Sequence, residues 1–517
     1  MKNLNVFIFQ QHWFHLGSLL ESTIVNEKKY RSINFFYLNK NLFVKPLDLH
    51  QDFIGCQIFS ESPESIIAKY LKSHFSDKDE FFSFKRVELA RNNNVQNLFG
   101  EISSIKDLQS IQWEKTSIGL ATSSFLISLT KDSDPNLNNY RKLIDNLELT
   151  YFQIFQYLDS LNLNGSKDEI WICNGRPFHE RTVVEYAHKN LIPVKYYEIG
   201  GEGANQERWI LHENSPHDRI AHQDSIKDHF SHSDQNLDLV NEWFQNQRPG
   251  GLNVFSTKFH SDTVTNTLGE YFVFFSSSDD EVSAISLDWD STWENQLNAV
   301  NALISYFINH PKLKLVIRVH PNQKNKSEND KKRWKSLVSN SINIIIYSYD
   351  SNIDSYKLLS GAKGIFTYGS TIGVEAAYLK KPAALLSNSR WDSIIPHQYL
   401  KSKKDIADWV NKVNLGIEPK ASHLETCYQG SLMWGYYMKT AGSVWKTIRV
   451  KKDFRRISIG YIHGQSLKPP VYVIAITRFS RFLRLSLVER RFDLNKLIST
   501  SRRIMRNPAK NAGIKAV

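Results

Sequence analysis

The sequence predicts an α/β protein with two Rossmann-like domains that face each other across a cleft, followed by a basic helical C-terminal tail. Short apolar strands alternate with helical segments in two separate series, which is typical of parallel βαβ units. A polar, turn-rich stretch at residues 245–263 separates the two series. At 517 residues the chain is also too long for a single hydrophobic core.

The first series predicts an N-terminal domain over residues 1–250. Its strands are short and apolar, and two of them end in polar residues. We expect strands at Asn5–Phe9 and Ile33–Leu38, a long helix at residues 137–161, a strand in EIWICNGRP, a helix in ERTVVEYAHKN and a strand in IPVKYYEIGGEG.

The second series predicts a C-terminal domain over residues 264–425, then a crossover helix region at 426–446 and a tail at 447–517. We expect its strands in EYFVFFSSSDDE, KLKLVIRVHPN, INIIIYSYD, GIFTYGST and PAALLSN. Ligands of parallel α/β sheets bind outside the carboxyl ends of the strands. The polar residues at these ends are therefore the candidate site.

Composition excludes several classes of protein. A hydrophobic content of 41% and a charged content of 23% are those of a globular chain. Cys56, Cys173 and Cys427 lack metal-ligand spacing and indicate a reducing compartment. The start of the chain has no secretory signal pattern, and no stretch approaches the roughly 20 apolar residues that span a bilayer. We therefore expect a cytoplasmic protein.

The net charge of +12 is concentrated at the C-terminal end. From Lys446 to Val517 there are 18 Lys and Arg against 3 Asp and Glu, a local charge of +15. The other 445 residues carry 47 basic and 50 acidic side chains, a charge of −3. A nucleic-acid-binding domain would be basic on its globular part, so we expect no nucleic-acid partner.

Two polar clusters in the second series predict a phosphate site. Arg318, His320 and Pro321 end one strand, and a histidine there can donate a hydrogen bond to a phosphate oxygen. Ser370 and Thr371 precede a helix, whose first amides and dipole attract anions. N-capping alone, or a histidine that is only structural, remains the alternative.

Three further features extend this donor site. Gly369 lets a ligand approach the backbone closely. Glu375 lies one helical turn after Thr371 and can accept a hydrogen bond from a ribose or base, or serve only as a helix-face carboxylate. The serines of FFSSSDDE are candidate donor ligands (Ser276, Ser277 and Ser278). We expect its acids to cap a helix, and we expect no metal site.

The first series offers candidates for the acceptor side. Glu198 or Glu202 can act as the general base that deprotonates an acceptor hydroxyl, and His12 and His15 compete for that role. Asn174 and Arg176 follow the strand in EIWICNGRP. The choice among these residues stays open.

The combination of NGRP, YYEIGGEG, FFSSSDDE, RVHPN and TYGSTIGVEAAYLKKP resembles bacterial capsule and lipopolysaccharide biosynthesis glycosyltransferases of the GT-B fold. The resemblance extends to Kdo and sialic-acid transferases and to teichoic-acid glycerophosphotransferases. It implies that His320 with Pro321, and Ser370 with Thr371, contact the phosphates of a nucleotide donor, with a CMP-linked sugar among the possible donors. Only Glu202 with Gly203 matches the Glu-Gly base motif of these families.

The resemblance implies metal-independent transfer of a sugar from a nucleotide donor, used as substrate without a cofactor, to a lipid-linked or polysaccharide acceptor. A CDP-polyol phosphotransferase, a sugar-nucleotide epimerase and a non-catalytic polysaccharide-assembly subunit remain alternatives. Residues 471–506 have a basic amphipathic pattern that suits an anionic membrane surface. We therefore expect a peripheral protein on the inner face of the cytoplasmic membrane.

Overall fold

The computed structural model describes residues 1–9, 13–38, 63–75, 81–87, 89, 96–200, 208–248, 268–285, 292–337, 341–452, 458–462 and 465–466. Its strands form two large sheets and one small sheet. In chain order they are β1 Lys2–Ile8, β2 Tyr30–Leu38, β3 Phe82–Val87, β4 Asp168–Cys173, β5 Val194–Gly200, β6 Arg208–His212, β7 Phe272–Phe275, β8 Leu315–Arg318, β9 Ile344–Tyr347, β10 Gly364–Thr367, β11 Ala383–Leu385, β12 Gln398–Tyr399, β13 Ser443–Val444, β14 Arg449–Lys452, β15 Ser458–Ile462 and β16 Gln465–Ser466.

Helices connect most of these strands. In chain order they are α1 Trp13–Asn26, α2 Pro63–His74, α3 Ile105–Ser110, α4 Ile118–Thr130, α5 Arg141–Ser160, α6 Phe178–Lys189, α7 Arg219–Ser231, α8 Leu237–Gln247, α9 Asp279–Ser283, α10 Gln296–Ile308, α11 Glu328–Lys335, α12 Ser355–Gly361, α13 Ile372–Tyr378, α14 Lys403–Asn414 and α15 Ala421–Thr440. Short 3-10 helices occupy Glu27–Lys29, Leu137–Tyr140 and Pro321–Asn325.

The first compact unit contains the described residues of Met1–Leu129, Pro135–Pro216 and the chain from Gly442 onward. Its seven-stranded sheet has the order β13-β6-β5-β4-β1-β2-β3. Strands β1 to β5 are parallel, whereas β6 and β13 are antiparallel to their neighbours. The carboxyl ends of β1, β4 and β5 therefore meet at one edge of this sheet.

The second compact unit comprises Thr130–Asp134 and His217–Ala441. Its six-stranded sheet is parallel and has the order β12-β11-β10-β7-β8-β9. Alternate residues of β7 face opposite layers: Phe272 and Phe274 pack in one buried cluster, and Val273 and Phe275 in another. Since helices cover both faces, the polar ends of the strands are where side chains can reach a ligand.

The predicted α/β class and the two Rossmann-like domains are confirmed by these two units. The division differs from the expected boundary at residue 250, because α7 and α8 belong to the second unit together with α15. The predicted crossover region also differs: α15 ends at Thr440, and the chain joins the first unit from Gly442. There the Glu21 carboxylate accepts hydrogen bonds from the backbone N–H groups of residues 446–448.

No helix in the described parts of the chain is long and apolar enough to cross a membrane. The predicted tail helix at 471–506 lies outside the described residues.

Candidate donor site and acceptor-side cluster

A cavity of about 250 Å³ lies in the second unit, at the carboxyl ends of β7, β8 and β10. Most of the residues predicted for the donor site line it. Its walls are Trp243, Gln247, Phe275, Ser276, Arg318, His320, Pro321, Ile353, Asp354, Ser355, Tyr356, Ser370, Thr371, Ile372, Glu375, Trp434 and Met438.

Arg318 supplies the positive charge of the cavity wall. Its side chain is only 2% exposed, and Nη1 donates to the carbonyl oxygen of Ser348 at 2.6 Å. Its Nε is buried and no described atom accepts its hydrogen. Burial lowers the pKa of Arg318 to about 10, so the guanidinium keeps its charge at neutral pH. Arg318 thus both anchors the loop after β9 and makes the cavity attractive to anions.

His320 is held as a neutral hydrogen-bond donor. Its backbone N–H donates to Ser276 Oγ at 2.7 Å, and its Nδ1 accepts from the backbone N–H of Asn322 at 3.1 Å. Burial, then the positive charges of Lys326 and Arg318, lower the pKa of His320 to about 4. Since Nδ1 is an acceptor, the ring hydrogen lies on Nε2. Pro321 begins the 3-10 turn that sets this geometry.

A buried ion pair lies next to this turn. Lys326 ends the 3-10 helix that His320 begins, and its ammonium pairs with Asp280. Both side chains are only 3% exposed. Burial raises the pKa of the neighbouring Asp279 to about 7. The acids that the sequence predicted as helix caps therefore have a second role, in balancing charge behind His320.

The three serines after β7 spend their hydroxyls on protein contacts. Ser276 accepts from His320, as above, and Ser277 Oγ donates to the carbonyl oxygen of Tyr368 at 2.6 Å. Ser278 Oγ accepts from Asn322 Nδ2 at 3.4 Å. These bonds join the ends of β7, β8 and β10. Only Ser276 also lines the cavity.

Gly369, Ser370 and Thr371 form the turn between β10 and α13. Gly369 has a φ of +78°, and a Cβ there would lie 2.8 Å from the carbonyl oxygen of Asn388. The glycine is therefore required by the protein backbone itself, a reason different from the predicted approach of a ligand. Thr371 is exposed and Ser370 half-buried, and both line the cavity. Ser370 Oγ accepts from the backbone N–H of Ile372 at 3.4 Å.

Glu375 faces the cavity as a buried carboxyl group. It is 4% exposed, and burial raises its pKa to about 8 despite the charge of Arg248 and a hydrogen bond from Tyr356. It is therefore mainly protonated at neutral pH and can donate as well as accept. Asp354, a cavity residue on the same side, caps α12 by accepting from the backbone N–H groups of Tyr356 and Lys357.

Sequence reasoning missed the wall formed by α8 and α15. Trp243 and Gln247 come from α8, and Trp434 and Met438 from α15. Both helices lie outside the βαβ pattern, so nothing in the strand-end argument pointed to them. Their aromatic side chains were the available signal, because large aromatics with polar neighbours are common in ligand pockets.

In the first unit the structure brings together four of the predicted acceptor-side residues. Glu198 Oε2 accepts from Asn174 Nδ2 at 2.6 Å, and Glu198 Oε1 lies 3.6 Å from His15 Nε2. The backbone N–H of Arg176 donates to Asn174 Oδ1 at 3.3 Å. The remaining two candidates, His12 and Glu202, lie outside the described residues.

His15, Cys173 and Glu198 form a group of possible metal ligands, whose ligand atoms all lie within 4.8 Å of one another. The other contacts of Glu198 engage both of its oxygens, since Oε1 also accepts from the backbone N–H of Ile199 at 3.1 Å. Burial raises the pKa of Cys173 well above its usual range, so its thiol is neutral. This donor set is better suited to holding a histidine than to binding a cation.

A family model described as capsule polysaccharide biosynthesis protein matches residues 254–393. No curated protein matches the chain significantly. Among solved structures, the Thermosulfurimonas dismutans KpsC beta Kdo 2,4 transferase shares 12% identity, with 52% of this chain and 80% of that chain covered and a TM-score of 0.33.

Two further structures show similar values. The Thermosulfurimonas dismutans KpsC beta Kdo 2,7 transferase shares 12% identity, over 63% of this chain and 90% of that chain, with a TM-score of 0.32. The Neisseria meningitidis UDP-GlcNAc 2-epimerase bound to UDP-GlcNAc shares 12% identity, over 85% and 99%, with a TM-score of 0.27. The family match contains FFSSSDDE, RVHPN and TYGST, and so the resemblance to capsule-biosynthesis glycosyltransferases is confirmed over the segment that carries the donor-site motifs.

Proposed function

We propose that this chain is a glycosyltransferase that moves a sugar from a nucleotide donor to a growing capsule- or lipopolysaccharide-type surface polysaccharide. One observation carries the proposal: Arg318, His320, Ser370 and Thr371, which come from two separate strand ends, line one cavity. Motifs 50 residues apart in the chain would have no reason to converge if each only capped its own helix. The family match over the same segment supports the same function.

The cavity suits the phosphates of a nucleotide. The Nε2–H of His320 and the hydroxyls of Ser370 and Thr371 are donors toward phosphate oxygens, and Arg318 adds a fixed positive charge. As the bond to the sugar breaks, negative charge grows on the departing phosphate. Preorganised donors and charges stabilise that change without reorganising. These groups would do what a divalent cation does in metal-dependent transferases, and so we propose metal-independent transfer.

The opposite end of the cavity suits the nucleoside. Glu375 and Tyr356 offer hydrogen-bonding groups for a ribose or a base, and Trp243 and Trp434 offer flat apolar surfaces. Aromatic walls with a few convergent polar groups are usual in sites for small ligands.

Substitution of the phosphate-side residues tests this function. We expect His320→Ala and Ser370→Ala to lower the transfer rate at limiting donor by roughly 100-fold each, because each removes a donor to the leaving phosphate. His310→Ala and Ser360→Ala are matched controls, since both side chains are exposed in the same unit and lie outside the cavity. Full activity in both cavity variants would reject the proposal.

We also propose that the enzyme works at the inner face of the cytoplasmic membrane, on a lipid-linked or polysaccharide acceptor. The support is the basic amphipathic pattern of residues 471–506. Acceptors attached to lipid are presented at such a surface.

A further inference from the structure

The carboxyl edge of the first unit's sheet holds a histidine and a carboxylate in contact. His15 lies in the first turn of α1, directly after β1, and Glu198 lies on β5. His15 Nε2 and Glu198 Oε1 are 3.6 Å apart, with side chains 14% and 16% exposed. The pair is longer than a hydrogen bond, but such contacts commonly tighten when a ligand binds.

The Glu198 carboxylate is fixed by its other partners. Asn174 Nδ2 donates to Oε2 at 2.6 Å, and the backbone N–H of Ile199 donates to Oε1 at 3.1 Å. Burial alone would raise the pKa of Glu198, but His15, Asn174 and the Ile199 N–H outweigh it and lower that pKa. A carboxylate that is stabilised in its charged form is a poor proton acceptor. Glu198 is therefore suited to orienting a neighbour.

The turn after β4 is built to aim the Asn174 amide. Asn174 has a φ of +57° and Gly175 a φ of +77°, so two successive residues adopt left-handed conformations. A Cβ on Gly175 would lie 2.6 Å from the ring of Tyr196, so only glycine fits. Backbone strain of this kind persists where surrounding structure maintains it and is common at functional sites. The NGRP motif thus ends in a side chain whose contact is Glu198.

We propose that His15 is the catalytic base that deprotonates the acceptor hydroxyl, and that Glu198 and Asn174 are positioning residues that orient its ring. This rests on the proposed function. With Nε2–H directed at Glu198, Nδ1 takes the hydroxyl proton. The acceptor oxygen forms a bond to the anomeric carbon of the donor sugar, and the bond from that carbon to the phosphate oxygen breaks. Its electron pair leaves with the nucleotide, and Glu198 stabilises the imidazolium that forms.

The surroundings of the pair are uncharged on the Cys173 side. Cys173 on β4, Tyr197 on β5 and Glu180 on α6 are the other titratable groups near Glu198. Burial holds the pKa values of Cys173 and Tyr197 well above their usual ranges, so both stay neutral near pH 7. Glu198 is thus the group on its own strand that can respond to the charge of His15.

The test combines transfer kinetics with nucleotide binding. Transfer is followed as nucleotide release from CMP-, CDP-, UDP- and GDP-linked sugars, and binding by calorimetry with the free nucleotides. We expect His15→Gln to lower kcat by about 100-fold or more and to leave the nucleotide Kd within about twofold. We expect Glu198→Gln to lower kcat less and to move the acidic limb of the kcat/KM profile to lower pH, because the imidazolium loses a stabilising charge.

A second His–Glu pair in the same unit is the matched control. His74 Nε2 lies 3.1 Å from Glu27 Oε2, closer than the proposed pair, but Glu27 follows the other end of α1. His74→Gln should leave kcat and the pH profile unchanged. Imidazole added to His15→Gly should restore part of kcat, a response that a purely structural role would not give.

Four results would overturn the proposal. They are a His15→Gln variant with more than about half of the original kcat, equal losses in His74→Gln, no change of the pH profile in Glu198→Gln, or a stoichiometric metal ion that is lost with His15→Gln. In each case the binding of nucleotide would leave the proposed function standing. If the unmodified chain bound no nucleotide, the proposed function would fail first and this proposal with it.

Discussion

At His320 the backbone decides the chemistry of the side chain. The sequence placed a histidine at the end of a strand and predicted a phosphate contact. The Asn322 N–H, which commits Nδ1, and the buried Lys326–Asp280 pair are consequences of the folded turn. The position of the residue could therefore be predicted from sequence, whereas its neutral form and its tautomer could not.

Buried neutral histidine should make stability depend on acidity. His397 is 6% exposed, its Nε2 lies 2.9 Å from the Gly373 carbonyl oxygen, and burial lowers its pKa to about 4. Between the unfolded value of about 6.5 and pH 4 the unfolded chain binds the extra proton, so the contribution of His397 is present above that window and is lost as pH falls through it.

The measurement is the difference in unfolding free energy between the unmodified chain and His397→Gln, from urea denaturation at pH 4.5 to 8. We expect the difference to be constant from pH 7 to 8 and to shrink below pH 6.5, by at most roughly 3 kcal/mol. A difference that does not change with pH would show that His397 is not held neutral by burial.

Glu375 should make nucleotide binding depend on alkalinity. Its pKa of about 8 leaves the cavity without this negative charge at pH 7, and deprotonation places a carboxylate where we propose that a nucleotide binds. We expect the Kd of the bound nucleotide to rise by roughly tenfold from pH 7 to 9, and Glu375→Gln to remove this rise. Calorimetry at each pH provides the values. An identical rise in Glu375→Gln would assign the effect to another group.

Among the elements, β7 and its serines show where strand-end reasoning stops. The pattern predicted a strand that ends in Ser276, Ser277 and Ser278, and the strand is present. Hydroxyl groups at a strand end can bind either a ligand or a neighbouring strand, and the sequence does not distinguish the two. The structure shows protein partners for all three, which fix the ends of β8 and β10 beside the cavity.

The turn between β10 and α13 offers a test at the scale of an element. Gly369→Ala combines a positive φ with a clash against the Asn388 carbonyl oxygen. Gly416→Ala has a similar φ of +69° and no atom within 4 Å of the added Cβ, which makes it the control for backbone strain alone. We expect losses in unfolding free energy of roughly 2–4 kcal/mol for Gly369→Ala and about 1–2 kcal/mol for Gly416→Ala.

Only Gly369→Ala should also weaken nucleotide binding, because it displaces Ser370 and Thr371. Equal losses of stability in the two variants would mean that the turn tolerates the added methyl group.

For the whole molecule, the sequence predicted two α/β domains but not the residues that complete them. The linker composition near residue 250 was the most visible boundary signal. However, α8 packs against α13 and α15 through contacts such as Phe244 stacked on Tyr378 at 3.7 Å. Arg333 likewise binds Asp132, which joins Thr130–Asp134 to the second unit. Such long-range pairings leave no local pattern in the sequence.

The basic tail should separate membrane binding from donor binding. We expect a chain that ends at Ser466 to lose co-sedimentation with vesicles containing anionic lipid and to keep its nucleotide Kd, because the cavity residues all precede it. Neutral vesicles provide the control for nonspecific sedimentation. Retention of the shortened chain on anionic vesicles would assign membrane binding to the globular part.

The most direct test of the donor site is a calorimetric titration of the full chain with CMP, CDP, UDP and GDP. We predict that one nucleotide binds with a clear preference over the other three, and that His320→Ala weakens that binding whereas His310→Ala does not. Binding of none of the four would contradict the account and would favour a non-catalytic role in polysaccharide assembly.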